Sequence, residues 1–278
     1  ARNYGSKNGK DEIIAMTSSF HGRTIGALSV GSNKKYKSNI GPVPGKVKFC
    51  KFNDVSHLKK LVNKKTVAII IEFVQGDGGI NICSKNFAKA IKGICKNKKI
   101  LLIGDEIQGG IGRTGKIFAY KHYGVNPDII TSAKGLGSGI PIGATIVKKY
   151  ISKIISTGFH GSTFGGGMLQ TRVSYNVFKT INTKRFLNKV LINGNLLSSL
   201  IKKIHHLHKD KIVDTRCLGL MAGVEFKNNQ IALKTYEKMS KNGLISTLIQ
   251  GNIIRLTPPL IVSSEEIRKA IKIITRSL

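Results

Sequence analysis

Two residues of this 278-residue chain occupy positions suited to chemistry. Asp105 closes the apolar run Ile100-Leu-Leu-Ile-Gly-Asp105, and Lys134 closes the run Asp128-Ile-Ile-Thr-Ser-Ala-Lys134. If both runs are strands of one parallel sheet, acid and amine reach the same carboxyl edge, where open α/β sheets bind ligands. A pyridoxal phosphate (PLP) enzyme needs that pair: the amine forms the Schiff base, and the acid pairs with the pyridinium nitrogen. Other readings compete here. An acid at a strand end also serves a Walker B element, but that reading requires a G-x-x-x-x-G-K-[ST] loop, and the chain has none. A lysine is ordinarily a solvated group. The glycines of Gly135-Leu-Gly-Ser-Gly139, however, let a ligand approach closely, and partial desolvation would make the amine nucleophilic.

The elements needed to hold this pair are legible in the pattern. Asp11–Thr17 reads as a short strand and Arg23–Val30 as a helix start after a glycine turn. Residues 31–46 read as loop. Val67–Glu72 is a β-branched strand stopping at an acid, Gln75–Gly79 is a loop by composition, and Asn86–Cys95 is an amphipathic helix leading to the Asp105 strand. This alternation from Val67 to Val147 predicts a mostly parallel sheet with crossover helices. Residues 168–208 read as helical with a break near Asn182. A smaller α+β unit follows, with strands near Leu220–Phe226 and Ile253–Leu256 and helices near Gln230–Lys241 and Ser264–Ser277. The expected domains are 1–212 and 213–278.

The formal net charge is +32, yet the basic residues are mostly lysine and are spread along the chain. Clusters such as Lys34-Lys35-Tyr36-Lys37 read as solvated loops, and no base-reading motif accompanies them. A nonspecific nucleic-acid binder is kept as the non-enzyme alternative, because charge alone gives salt-sensitive attraction. No stretch reaches the roughly 20 apolar residues of a membrane span, and no signal-peptide pattern opens the chain. The first residues read like the tail of a helix, so the chain is expected to be a piece of something longer. Cys50, Cys83, Cys95 and Cys217 have neither metal-ligand nor disulfide spacing, which predicts idle thiols in a reducing cytoplasm. His21 and His160 flank glycines without a third ligand, so no metal site is expected. Small hydroxylated loops, Ser162-Thr163 above all, are phosphate-binding candidates.

Seven strings in order resemble the class III aminotransferases of PLP fold type I. They are Ser19-Phe-His-Gly-Arg-Thr24, Ile71-Glu-Phe-Val-Gln-Gly-Asp-Gly-Gly79, Gly104-Asp-Glu-Ile-Gln108, Gly112-Arg-Thr-Gly115, Ser132-Ala-Lys-Gly-Leu-Gly137, His160-Gly-Ser-Thr-Phe-Gly-Gly166 and Arg255-Leu-Thr-Pro-Pro-Leu260. The phenylalanine and histidine before Gly22 resemble the acetylornithine branch more than the ornithine branch. The resemblance implies a PLP-binding large domain and a smaller C-terminal α+β domain. It implies that Lys134 binds PLP and shuttles a proton, and that Asp105 pairs with the ring nitrogen. Gln108 would bond the ring's phenolic oxygen, and Phe20 and Ile107 would sandwich the ring. Glu106 would belong to the same cofactor-binding strip as outer support. Thr163 would bind the cofactor phosphate of the neighbouring subunit, Ser162 would touch substrate there, and Arg23 and Arg255 would bind substrate carboxylates. Planar guanidinium donors suit carboxylates better than lysine does.

The implied reaction moves the terminal amine of N-acetylornithine to 2-oxoglutarate in a cytoplasmic homodimer with shared active sites. Succinyl-diaminopimelate is a second substrate, and ornithine or another omega-amino acid is the alternative. Arg113, Arg216 and Gly219 read as structural. Three departures stand out: Asp77 where the family has glutamate, Phe73 where it has proline, and Gly167-Met168 where it has Asn-Pro. The family's N-terminal segment and its same-subunit phosphate turn are expected to precede residue 1.

Overall fold

The computed structural model describes residues 1–278. Eight strands precede the long helices: β1 (Glu12–Met16), β2 (Lys46–Cys50), β3 (Thr66–Ile71), β4 (Val74–Gln75), β5 (Asn81–Ile82), β6 (Leu101–Asp105), β7 (Ile129–Ser132) and β8 (Ala144–Val147). Six of them form the central sheet in the order β2-β1-β3-β6-β7-β8. All neighbours run parallel except β8, which pairs antiparallel with β7. Both faces of this sheet are covered, and strand periodicity divides the side chains between them. Ile14, Met16, Ile69, Ile71 and Leu102 share one core with Phe87 and Ile91 of the helix Lys85–Lys98. Ile13, Ala15, Ala68, Ile70, Leu101 and Ile103 share the opposite core with Val30 and Ile151. The near-continuous apolar reading of β3 and β6 follows from this double burial.

Helices Met168–Ile181 and Lys184–Leu207 follow, broken at Asn182 and restarted by Thr183, whose side chain accepts from the Phe186 amide. The second sheet, order β11-β12-β10-β9, consists of β9 (Ile212–Leu218), β10 (Met221–Phe226), β11 (Thr247–Ile249) and β12 (Ile253–Leu256). Its core begins upstream of the expected boundary at residue 213. Val190, Leu197, Ile201 and Ile204 of the long helix pack with Leu220, Val224, Phe226 and Ile254. Composition has no break there, because a helix stripe facing a distant sheet looks like one facing a near one. Arg113 ties the two units together, donating from Nη1 to the carbonyls of Leu220 (3.1 Å) and Pro258 (2.5 Å). Gly219 lies at φ +58°, and a Cβ there would stand 2.5 Å from the Thr114 backbone, so only glycine fits this crossing.

Two local expectations need correction. The Gln75–Gly79 stretch is not purely loop, because Val74 and Gln75 pair antiparallel with Ile82 and Asn81 in a short ribbon. Residues 31–46 contain a 3₁₀ turn, Lys34–Lys37, started by the Asn33 side chain accepting from the Lys35 amide. No helix is long and apolar enough to cross a membrane. Cys50, Cys83 and Cys95 are buried and Cys217 is part-buried. Burial pushes all four thiols up to about 12, out of nucleophilic range.

Candidate active site

Four neighbouring parallel strands deliver their carboxyl ends to one edge. β1 leads into Phe20 and His21, β3 into Glu72, β6 ends at Asp105, and β7 leads into Lys134. Asp105 and Lys134 follow neighbouring strands: Asp105 pairs in register with Thr131, three residues before Lys134. Lys134 opens a short 3₁₀ turn, is exposed, and holds φ +45°. A non-glycine residue in the left-handed region is strained, and such residues concentrate at functional sites.

Asp105 is buried, with three contacts on its two oxygens and acceptor capacity left on Oδ2. Its Oδ1 accepts from the Ile107 amide (3.1 Å) and the Thr131 hydroxyl (3.1 Å), and its Oδ2 lies 2.6 Å from His21 Nδ1. The side chains of His21 and Asp105 are only 2% and 5% exposed. Burial alone would lower the His21 pKa, but the Asp105 hydrogen bond and the charges of Glu72 and Asp105 raise it above its ordinary value. Glu72 is buried beside them, accepting from the amides of Phe20 (2.9 Å) and Gly76 (3.2 Å), and burial raises it to about 7 against the pull of His21. The three groups form one coupled cluster. The sequence offered His21 as a metal candidate without support and as a marker of the family branch, but gave it no part beside Asp105. The available signal was a titratable ring placed directly after a strand end and beside the stacking candidate Phe20.

Gln108, Asp77 and Arg255 form a closed ring of contacts. Arg255 Nη1 donates to Asp77 Oδ1 (2.9 Å) and to Gln108 Oε1 (3.3 Å), while Gln108 Nε2 donates to Asp77 Oδ2 (3.0 Å). Asp77, the shorter acid, thus still reaches the arginine. Its loop is drawn in by Gln250, which donates to the Asp77 carbonyl at 2.6 Å. A Cβ at Gly76 would lie 2.1 Å from Gln108 Oε1, so a larger residue there would displace the Gln108 side chain from this ring of contacts. One cavity of about 220 Å³ is lined by Ile107, Gln108, Lys134 and Arg255. A second, of about 460 Å³, is lined by Phe20, Asp77, Tyr36 and Lys35. Asp77 of the second cavity bonds Gln108 and Arg255 of the first, so the two are neighbours.

Other candidates fall outside this convergence. Glu106 is buried facing a different loop, its two oxygens accepting from the amides of Ala119 (2.7 Å) and Tyr120 (2.9 Å). Both its oxygens are occupied by backbone amides, which fits a supporting position behind Asp105. Burial raises Glu106 to about 7. Its folded pKa therefore exceeds its unfolded value, so its contribution to stability falls as pH rises from about 4.5 through about 7. Thermal melts should accordingly show a steeper fall in Tm across that interval for wild type than for Glu106→Gln; equal slopes would refute the assignment. Ser162 and Thr163 are exposed and line neither cavity, and the chain's own fold does not bring them to Asp105.

The polar surroundings fit PLP. The Asp105 carboxyl group stands at a strand tip, Lys134 lines the cavity of about 220 Å³, and His21 Nε2, Ser132 Oγ and Arg255 Nε are buried without partners. Buried polar atoms are rarely left so unless a further group completes them. Gln108 Nε2 keeps one hydrogen beyond the one given to Asp77, available to a ring oxygen.

The family model described as Aminotransferase class-III matches residues 1–278. The chain is 41% identical to the acetylornithine aminotransferase of Methanocaldococcus jannaschii, over 96% of this chain and 67% of that protein. It is 39% identical to ornithine aminotransferase 1 of Staphylococcus saprophyticus, over 96% of this chain and 67% of that protein. The structure of the Toxoplasma gondii ornithine aminotransferase, described with partial occupancy of PLP at its active site, superposes with a TM-score of 0.94 at 29% identity, covering 99% of this chain and 67% of that one. The chain therefore spans about two thirds of the length of these relatives.

Proposed function

The chain belongs to the class III aminotransferases, and from that membership we propose that it moves the terminal amino group of N-acetylornithine to 2-oxoglutarate. Succinyl-diaminopimelate would be a second donor, giving the enzyme a place in arginine and lysine biosynthesis in the cytoplasm. The observation that carries the reading is the arrival of Phe20-His21, Glu72, Asp105 and Lys134 at one edge of a single sheet. PLP, the family's cofactor, supplies an aldehyde carbon for the amine and a ring that accepts electron density as the substrate C–H bond breaks. Lys134 Nζ would hold that aldehyde carbon and would serve as the base that moves the proton of the substrate carbon. Asp105 would hold the ring nitrogen, and its contact with His21 keeps its carboxyl group oriented. Phe20 lines the cavity of about 460 Å³ and Ile107 the cavity of about 220 Å³, and the two would exclude water from a ring held between them.

Two arginines divide the substrates. Arg23 pairs with no carboxylate and is held only against aromatic rings, so its donors are free for the one carboxylate of the amino donor. Arg255 is tied to Asp77 and Gln108 and is released for the second carboxylate of the oxo acid. The acylated donor is favoured by charge. Lys34, Lys35 and Lys37 stand on the turn beside Arg23's partner Tyr36, and a free α-ammonium would meet this cationic group, whereas an acetylated nitrogen carries no charge. A homodimer is supported by the segment around Ser162 and Thr163, where Phe164 is 82%, Met168 89% and Leu169 65% exposed. A second copy covering it would bring Thr163 to the neighbour's cofactor phosphate and Ser162 to its substrate.

Steady-state amino transfer to 2-oxoglutarate tests the reading. kcat/KM for N-acetylornithine should exceed that for ornithine by about tenfold or more, the scale on which one substituent is discriminated. A preference for ornithine would overturn the acyl assignment, and no transfer from either would overturn the reaction.

A further inference from the structure

We infer that Tyr36 is the residue that orients Arg23 and thereby sets the affinity for the carboxylate end of the amino donor, an inference that rests on the functional reading above. The guanidinium carbon of Arg23 lies 3.8 Å from the centre of the Tyr36 ring and 5.7 Å from that of Phe20. The two rings meet edge to face at 6.0 Å and 82°. Phe20 precedes the histidine that contacts Asp105, so Tyr36 connects the arginine to the wall of the reaction site. The sequence reads Lys34-Lys35-Tyr36-Lys37 as a solvated basic cluster. In the fold its tyrosine is half-buried and lines the cavity of about 460 Å³ shared with Asp77.

The physical case turns on how an exposed arginine can be held without losing its donors. A carboxylate partner would hold Arg23 but compete with substrate for the same N–H groups. A ring face attracts the cation through its quadrupole and leaves the edge of the planar fork open to a bidentate carboxylate. Without the ring, three neighbouring lysines repel the guanidinium and its rotamers are unrestrained. Restraint before binding lowers the cost of association, so the ring acts on affinity rather than on the chemical step.

The test uses the holoenzyme and the amino donor. Tyr36→Leu should raise the donor KM about fivefold while kcat stays within about twofold, the signature of lost uniform binding. Tyr36→Phe keeps the ring face and should bring KM back to within about twofold of wild type. Added to Arg23→Ala, Tyr36→Leu should cost nothing further, because the ring acts only through the guanidinium. Tyr36→Met, flexible and without a ring, replaces Tyr36→Leu should that variant melt early. An unchanged KM in the ring-less variants, no rescue by phenylalanine, or full additivity with Arg23→Ala would overturn the inference while leaving the reaction intact. Absence of amino transfer in wild type would instead overturn the functional reading and take this inference with it.

Discussion

Lys134→Ala should lower amino transfer by at least about 10³-fold, the combined loss of a covalent anchor and a general base. The same substitution should remove the visible absorbance of the lysine-bound cofactor. The lysine is exposed and no hydrogen bond of its side chain holds the fold, so the variant should melt within a few degrees of wild type. Exposure also means that the amine sits where an incoming substrate can displace it. Lys134 already adopts a left-handed backbone conformation, which the strand register of β7 and the following glycines impose. Alanine inherits the same strain, and the comparison isolates the amine. Persistence of both the absorbance and the turnover would remove Lys134 from the reaction and transfer the role to another lysine.

Asp105→Asn should reduce kcat by about 10²–10³-fold, the range found when a preorganised charge is removed from a reacting group. The two side chains have the same shape, so the hydrogen bonds from Ile107 and Thr131 to Oδ1 can persist. What is lost is the acid that would hold the ring nitrogen of the bound cofactor. The environment resists any compensation, because the carboxylate is buried and faces a histidine whose proton it stabilises. The His21 pKa should therefore drop in this variant, observable by following its ring resonances against pH. A kcat within threefold of wild type would exclude Asp105 as the electrostatic partner of the cofactor.

Several features of this site were present in the linear chain. Asp105 and Lys134 each close an apolar run, and a strand that ends in a polar group at the carboxyl edge of a parallel sheet can hardly be anything but surface or site. The three-layer arrangement was equally plain, because strands buried on both faces have no room for polar alternation. Arg23 and Arg255 were singled out by the family resemblance of their strings, and a planar donor there is not interchangeable with an ammonium.

The rest depended on contacts between segments far apart in sequence. Glu72 stops its strand as an acid should, but only the approach of Phe20 and Gly76 makes it a buried acceptor of backbone amides. Glu106 lies next to Asp105 in the chain, yet a backbone turned away from the cavity gives it to Ala119 and Tyr120 instead. Tyr36 was indistinguishable from its three lysine neighbours until the turn placed its ring under Arg23. Residue types and local periodicity are determined by the chain one element at a time, and they were enough for a mostly parallel sheet around the strands ending at Glu72 and Asp105, but not for its edge strand Lys46–Cys50 or the antiparallel pairing of Ala144–Val147. Which side chains meet across the carboxyl edge of the sheet is set by how segments 31 and 178 residues apart pack, as between Asp77 and Gln108 or Asp77 and Arg255, and no local pattern encodes it.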